Sequence, residues 1–229
     1  PRAIDVIQTI QKPCIAYKVL GAGRIDAFTG LSYAYRNIKP GDVINLGVGM
    51  PDSVANVAAE EGFSDQIYLS VESGTTGGVP TGGIAFGAAV NPDSVISTAQ
   101  QFDAYNGGSL DMGIVGLAQV DREGNVNVSK FGTRVTGPGG FINITQSTRK
   151  VIFMGTFTAV GLKEEIRDGK VVILNEGSSR KFVDRVEQIT FSGKNAVATG
   201  QEILYVTERA VFRLTENGPT LTEIAPGRS

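Results

Sequence analysis

The chain has 229 residues, 41% of them hydrophobic and 19% charged, with a net charge of −2. That is enough apolar material for one large core, and the near balance of charge excludes the basic surface of a nucleic-acid binder. No apolar stretch is long enough to span a bilayer, no signal-peptide pattern opens the chain, and the single cysteine, Cys14, cannot form an internal disulfide, so a cytoplasmic or organelle-matrix setting is expected.

In chain order, residues 3–11 predict a short helix, 14–20 a strand and 25–37 a second helix. Pro40-Gly41-Asp42 reads as a turn, Val43 to Leu46 as a short apolar strand, and residues 52–61 as a helix with Val54, Ala55, Val57 and Ala58 at helical spacing. The run Ile67-Tyr68-Leu69-Ser70-Val71 predicts a fully buried strand ending at Glu72. Residues 95–102 predict a helix, with a turn at Asn106-Gly107-Gly108. Met112 to Val120 predicts one strand, 121–125 a turn, and Val126 to Val128 a returning strand. Gly137-Pro138-Gly139-Gly140 opens a helix or turn, and Lys150 to Phe157 predicts a further buried strand. Beyond residue 170 the pattern changes to β-rich pieces at 171–174, 182–191, 203–214 and 220–224. The expected fold is α/β, an open and mostly parallel sheet with flanking helices and a β-rich C-terminal part.

Strand ends followed by glycine recur at Gly47–Pro51, Glu72–Gly83 and Gly137–Gly140. In open α/β sheets ligands bind beyond the carboxyl ends of the strands, so parallel neighbours would bring these loops together. The amide groups of Gly47-Val48-Gly49 would then lie beside Glu72, as groups able to stabilise an oxyanion. Tight turns alone also account for any single one of these loops. The chain has no histidine, which removes Ser-His-Asp and Cys-His nucleophile pairs, histidine bases and nearly every transition-metal site. A carboxylate, lysine, tyrosine, serine or backbone dipoles must carry any chemistry, and Glu72 is the acid set in a glycine-rich turn. The dinucleotide fingerprint is incomplete, since Asp52 and Asp26 stand where its third glycine belongs, and no Gly-Lys-Ser/Thr phosphate loop exists.

The order of the motifs resembles the family I CoA-transferases, and most closely the C-terminal, catalytic half of propionate or acetate CoA-transferases. The matching segments are Pro40 to Pro51, Val71-Glu72-Ser73-Gly74 with Gly77-Gly78-Val79-Pro80, Asp111-Met112-Gly113 through Asp121, Gly124 to Ser129, Gly137 to Ile142 and Tyr205 to Phe212. The resemblance covers residues 31 to about 227 and implies a catalytic-half domain over 31–229. It implies that Glu72 attacks an acyl-CoA thioester, that the resulting anhydride captures CoA thiolate, and that a short-chain carboxylic acid reverses the sequence from a glutamyl-CoA thioester. It further implies Val48 and Gly140 as oxyanion donors through their N–H groups, each worth about 3 kcal/mol. Gly47, Gly49, Gly74, Gly77, Gly78, Asn127 and Gly139 are implied as substrate- or CoA-binding positions, with residues 74–83 leaving room for the acyl thioester. CoA enters as substrate; no permanently bound cofactor and no metal is expected.

The family works as two related halves. A CoA-binding N-terminal half or α-like subunit, absent from this sequence, is therefore the expected partner within an oligomer. Residues 1–30 are an atypical segment; residues 13–24 read more like a strand and loop of a β/α barrel. Glu216-Asn217-Gly218 looks like the catalytic motif of other family members, but Asn-Gly between two strand-like pieces reads as a hairpin turn. Two alternatives stay open at this point: acyl-CoA hydrolysis on the same scaffold, and a non-catalytic ligand-binding or regulatory relative. Sugar-phosphate isomerases of similar fold need phosphate-binding cations, which these loops lack.

Overall fold

The computed structural model describes residues 41–47, 51, 54–55, 58, 62, 64–82 and 85–226. The elements expected at 3–11, 14–20 and 25–37, together with Val48 and Gly49, lie outside the described residues.

A nine-stranded sheet dominates the molecule. Its centre comprises β1 (Val43–Leu46), β2 (Tyr68–Ser70), β7 (Met112–Gly116), β12 (Lys150–Met154) and β17 (Glu202–Val206), in the spatial order β17-β12-β7-β1-β2 and all parallel. Antiparallel strands close the two sides: β18 (Ala210–Thr215) and β19 (Gly218–Ile224) beyond β17, and the short β3 (Thr75–Thr76) and β6 (Ser94–Val95) beyond β2. The expected α/β class with a mostly parallel sheet and a β-rich C-terminal part is what forms.

Alternation along the central strands explains why they read as continuous apolar runs. Ile152 and Met154 on β12 join Ile44, Ile114 and Leu204 in one buried layer with the helical residues Val54, Ala55 and Ala58. Val151 and Phe153 join Val115, Ile203 and Tyr205 in the other. A parallel strand covered on both faces has no polar side to show. The second layer is closed by α1 (Thr98–Asn106), α2 (Phe141–Gln146) and α3 (Gly193–Thr199). At its centre Phe153 stacks on Phe141 and Tyr205, with centroids 5.7 and 5.5 Å apart. α2 packs close to the sheet at Gly113, where a Cβ would come within 3.0 Å of Ile144.

Several boundaries differ from the sequence reading. The strand before Glu72 stops at Ser70, and its first residue, Tyr68, is 50% exposed, so it is not fully buried. The chain reverses there because the Gly74 N–H donates to the Val71 carbonyl. Residues 112–120 form two strands, because the chain leaves the sheet after Gly116 and Gln119–Val120 (β8) pairs with Val126–Asn127 (β9). Helix α1 begins at Thr98, not at 95, and Val95 belongs to a strand. Ser97 and Gln100 form a reciprocal capping box that fixes this start. Residues 182–191 bridge to the sheet system only at Phe182 and Phe191. The intervening Asp184, Arg185, Glu187 and Gln188 are exposed and only Val186 is buried between them, so aromatic ends mimicked a strand. Helix α3 was not expected, although Ser192 caps its start and Gly200 (φ 72°) its end.

Candidate active site

Glu72 occupies the tip of the hairpin joining β2 to β3. The Val71 N–H donates to Thr75 O at 2.9 Å and the Gly74 N–H to Val71 O at 3.0 Å, so Glu72 and Ser73 are the two central residues of a tight turn. The side chain is half-buried. Loss of hydration on burial raises its carboxyl above the usual carboxylate range, and a hydrogen bond from the Gly140 N–H opposes that shift.

Gly140 reaches Glu72 from the other side of the sheet edge. Pro138, Gly139, Gly140 and Phe141 form a turn closed by the Phe141 N–H on Pro138 O at 3.1 Å, with Gly139 at φ 53° and Gly140 at φ −80°, ψ 0°. These angles are those of a type II′ turn, which favours glycine at its first central position. The second position, Gly140, has a conformation open to any residue. Space requires its glycine: a Cβ there would lie 2.4 Å from Glu72 Oε2 and 2.9 Å from Phe102 Cε1.

A cavity of about 520 Å³ opens around Glu72. The carboxyl ends of four parallel strands build its floor, through Gly47, Glu72, Val115 to Ala118, and Met154 with Gly155; Gly139, Gly140, Phe86 and Val128 line its sides. Glu72 and Lys181 are the ionisable side chains among the described lining residues. Lys181 arrives from the segment after β16 (Ser179–Arg180), outside the three glycine loops singled out in the sequence, and no sequence signal marked it. Its Nζ lies 3.0 Å from where a Cβ of Gly155 would stand.

The expected loops thus converge through Gly47, Glu72, Gly139 and Gly140. Gly47 spends its own N–H on Ile114 O at 2.8 Å, so it shapes the floor and donates nothing into the cavity. The expected second donor, Val48, and Gly49 lie outside the described residues. The other implied positions are placed elsewhere. Gly74, Gly77 and Gly78 do not line the cavity and leave no room for an acyl group: added Cβ atoms would meet Ile96 O at 1.9 Å, Asp93 Oδ2 at 2.0 Å and Val90 O at 2.3 Å. These glycines admit the chain's own returning segment. Asn127 is fully buried and spent internally, its Nδ2 donating to Gln119 Oε1 and Lys130 O, its Oδ1 accepting from the Ser129 and Lys130 N–H groups. It shapes a loop, and the neighbouring Val128 faces the cavity. The Glu216-Asn217 pair closes the β18–β19 hairpin ahead of Gly218 (φ 88°), far along the chain from this site.

Below the Glu72 turn lies a buried polar cluster that sequence reading missed. Ser70 Oγ and the Tyr105 hydroxyl are 2.6 Å apart. Asn45 Nδ2 donates to that hydroxyl at 3.0 Å and to Ser70 O at 3.1 Å, and Gln101 Nε2 donates to Ser70 Oγ at 2.5 Å.

A charge network outside the cavity lining holds the segment after β12, where the Phe157 N–H donates to Glu208 Oε2 at 2.7 Å. Arg209 donates to both oxygens of Glu176, at 2.8 and 3.0 Å, and to Oε1 of the fully buried Glu208 at 2.6 Å, while its guanidinium lies 4.9 Å from the Phe157 ring centre. The hydrogen bonds from Arg209, then that from Thr158, hold the Glu176 carboxyl down at about 2. A carboxyl depressed in the folded state adds stability in full above its ordinary value near 4.5, and loses it as pH falls through 2. Glu176→Gln is therefore expected to lower the melting temperature at pH 7, with the difference from the parent shrinking on acidification below pH 4. Glu176 is half-exposed, so solvent screening keeps the effect under about 1 kcal/mol. Thermal melts across pH check this.

Comparison with known proteins fits this arrangement. The family model described as coenzyme A transferase matches residues 31–229. The chain belongs to the coenzyme A transferase family. It is 50% identical over 199 residues to the caffeate CoA-transferase of Acetobacterium woodii, covering 85% of this chain and 38% of that protein. It is 30% identical over 205 residues to the acetate CoA-transferase subunit beta of Escherichia coli K12, covering 84% of this chain and 82% of that subunit. The crystal structure of the Escherichia coli O157:H7 acyl-CoA transferase YdiF as a thioester complex with CoA superposes with a TM-score of 0.83 at 42% identity, covering 93% of this chain and 40% of that one. The chain thus spans about two fifths of the length of its longer relatives and most of a separate beta subunit. Among the described residues, no helix is long and apolar enough to cross a membrane.

Proposed function

We propose that this chain carries the catalytic glutamate of a CoA-transferase that moves CoA between a short-chain acyl-CoA and a carboxylic acid. The observation that carries the reading is Glu72 itself, half-buried at the rim of an apolar cavity and hydrogen-bonded by the Gly140 amide.

The ionised Glu72 attacks the thioester carbonyl, and the C–S bond breaks to release CoA thiolate and leave an acyl-glutamyl anhydride. The thiolate then attacks the glutamyl carbonyl, releasing the first acid and leaving CoA on Glu72 as a thioester. A second acid repeats these steps in reverse. A carboxylate is a weak nucleophile, so desolvation and fixed geometry must supply its reactivity. The raised carboxyl range of Glu72 is the mark of that desolvation. The Gly140 N–H already addresses an oxygen of Glu72. It is thereby aimed at the oxyanion that forms on the glutamyl carbon when thiolate, or the second acid, attacks there. This is a more specific role than stabilising the substrate's own carbonyl, and it leaves Val48 as the candidate donor for the latter.

We further infer that the chain works with a CoA-binding half, as a partner subunit or a preceding segment, because its cover of a separate beta subunit is nearly complete while its cover of longer relatives is not. CoA is then a substrate. Isotope exchange tests the reading. With the CoA-binding half present, labelled acetate should enter acetyl-CoA without any second acyl-CoA. Loss of acetyl-CoA to water with no exchange would replace the transferase by a hydrolase.

A further inference from the structure

We propose that Tyr105 is a positioning residue for Glu72, acting with Ser70, Asn45 and Gln101 to hold the β2–β3 turn at its working distance from Gly140. The proposal rests on the catalytic reading of Glu72 given above.

Helix α1 grips both sides of the candidate nucleophile. Its residues Gln101 and Tyr105 bond the Ser70 hydroxyl, two residues before Glu72 and the last of β2. Its Phe102, one position after Gln101, lies against Gly140, where an added Cβ would stand 2.9 Å from Phe102 Cε1 and 2.4 Å from Glu72 Oε2. Phe102 and Tyr105 meet edge to face with centroids 6.0 Å apart, so the two grips are coupled within a single helical turn. Helix, turn and opposing amide are therefore joined by contiguous contacts.

The composition of the cluster also calls for a reason. Asn45, Ser70, Gln101 and Tyr105 are each at most 4% exposed, between β1, β2 and α1, where apolar side chains fill the rest of the layer. Asn45 Oδ1 has no hydrogen-bond partner among the described residues. Burying an incompletely satisfied network is costly relative to apolar packing, and such networks rigidify one arrangement. Burial first, and the neighbouring negative charge of Glu72 last, raise the Tyr105 hydroxyl above its ordinary range, so it stays a neutral hydrogen-bonding group. A turn of two central residues has no stiffness of its own against displacement of its root, and misplacement of a reacting group by about 1 Å costs about 100-fold in rate.

The test measures single-turnover attachment of CoA to the chain from acetyl-CoA, in the presence of the CoA-binding half. Tyr105→Phe keeps the ring and removes the hydroxyl. It is expected to slow attachment at saturating acetyl-CoA by about 10- to 100-fold, with the half-saturating concentration unchanged within about twofold and cooperative melting retained. Gln101→Met is the second variant, expected to slow the same step without weakening substrate binding. The double variant Tyr105→Phe/Ser70→Ala should be little slower than Tyr105→Phe alone, because both remove one network. A merely structural role predicts fewer folded molecules, each attaching CoA at the parental rate. Parental rates in folded Tyr105→Phe and Gln101→Met overturn the proposal while leaving Glu72 catalytic. A parent that never carries CoA on Glu72 overturns the catalytic reading, and the positioning role with it.

Discussion

Glu72→Gln is expected to abolish CoA transfer, lowering kcat by about 10⁴-fold or more, while leaving the fold intact or slightly more stable at neutral pH. An amide of the same shape cannot attack a thioester, and no histidine exists in the chain to substitute as base or nucleophile. The stability half of the expectation follows from the direction of the carboxyl shift. Burial raises Glu72 above the ordinary value of 4.5, so the fold favours its protonated form. That preference is fully present below about 4.5 and is lost as pH rises through the raised value, leaving an ionised, partly desolvated group at pH 7. Glutamine removes this penalty. Melting temperature against pH for parent and variant checks it: the variant should match or exceed the parent at pH 7 and lose that advantage toward pH 4. The same shift sets the acid limb of kcat/KM in the parent, which should fall as Glu72 protonates, at a pH above 4.5. A Glu72→Gln protein that is inactive because it is unfolded would not meet this expectation.

Gly140→Ala is expected to lower kcat by about 10²- to 10³-fold, the range seen when one oxyanion donor is removed. The substitution is a clean steric probe. Gly140 has φ −80° and ψ 0°, a turn conformation with negative φ that alanine can adopt, so the steric clash outweighs any backbone strain. Its Cβ would stand 2.4 Å from Glu72 Oε2 and 2.9 Å from Phe102 Cε1. Both distances are shorter than non-bonded atoms accept, so the Glu72 carboxylate must leave the Gly140 amide or the turn must retreat. Either movement separates the proposed nucleophile from its proposed donor. The site lies at a cavity rim, so the expected melting temperature changes by a few degrees at most. Steady-state rates combined with melting curves decide the matter: a folded Gly140→Ala protein with parental kcat would show that contact between Gly140 and Glu72 has no catalytic consequence.

The candidate site was more legible in the sequence than its surroundings were, for a physical reason. A short, mostly apolar run such as Val43–Leu46, set between turn signals, reads as a strand, and it forms over those residues. A carboxylate at the end of a similar run must lie at the strand's carboxyl edge, which is where ligands bind in such sheets. Glycine tells less. Gly74 and Gly140 look equivalent in sequence, each announcing a close approach, yet one admits the backbone of Ile96 and the other the carboxyl of Glu72. Only the fold says which atom approaches. Asn127 is engaged internally, its four hydrogen bonds lying within its own loop and with Gln119, a closure that a hydrophilic stretch does not reveal. The Tyr105 cluster was illegible because its bonded pairs across β1, β2 and α1 stand 25 to 60 positions apart and each member looks ordinary alone. Lys181 enters the cavity from the stretch between two pieces that read as β structure, 171–174 and 182–191.

Chemical capture addresses the central claim directly. The protein, together with its CoA-binding half, is mixed with acetyl-CoA, reduced with borohydride, digested and sequenced by mass spectrometry. Reduction of a glutamyl thioester to the alcohol at residue 72, absent when acetyl-CoA is omitted, is the result this account predicts. An active preparation in which Glu72 is recovered unmodified after reduction would contradict it.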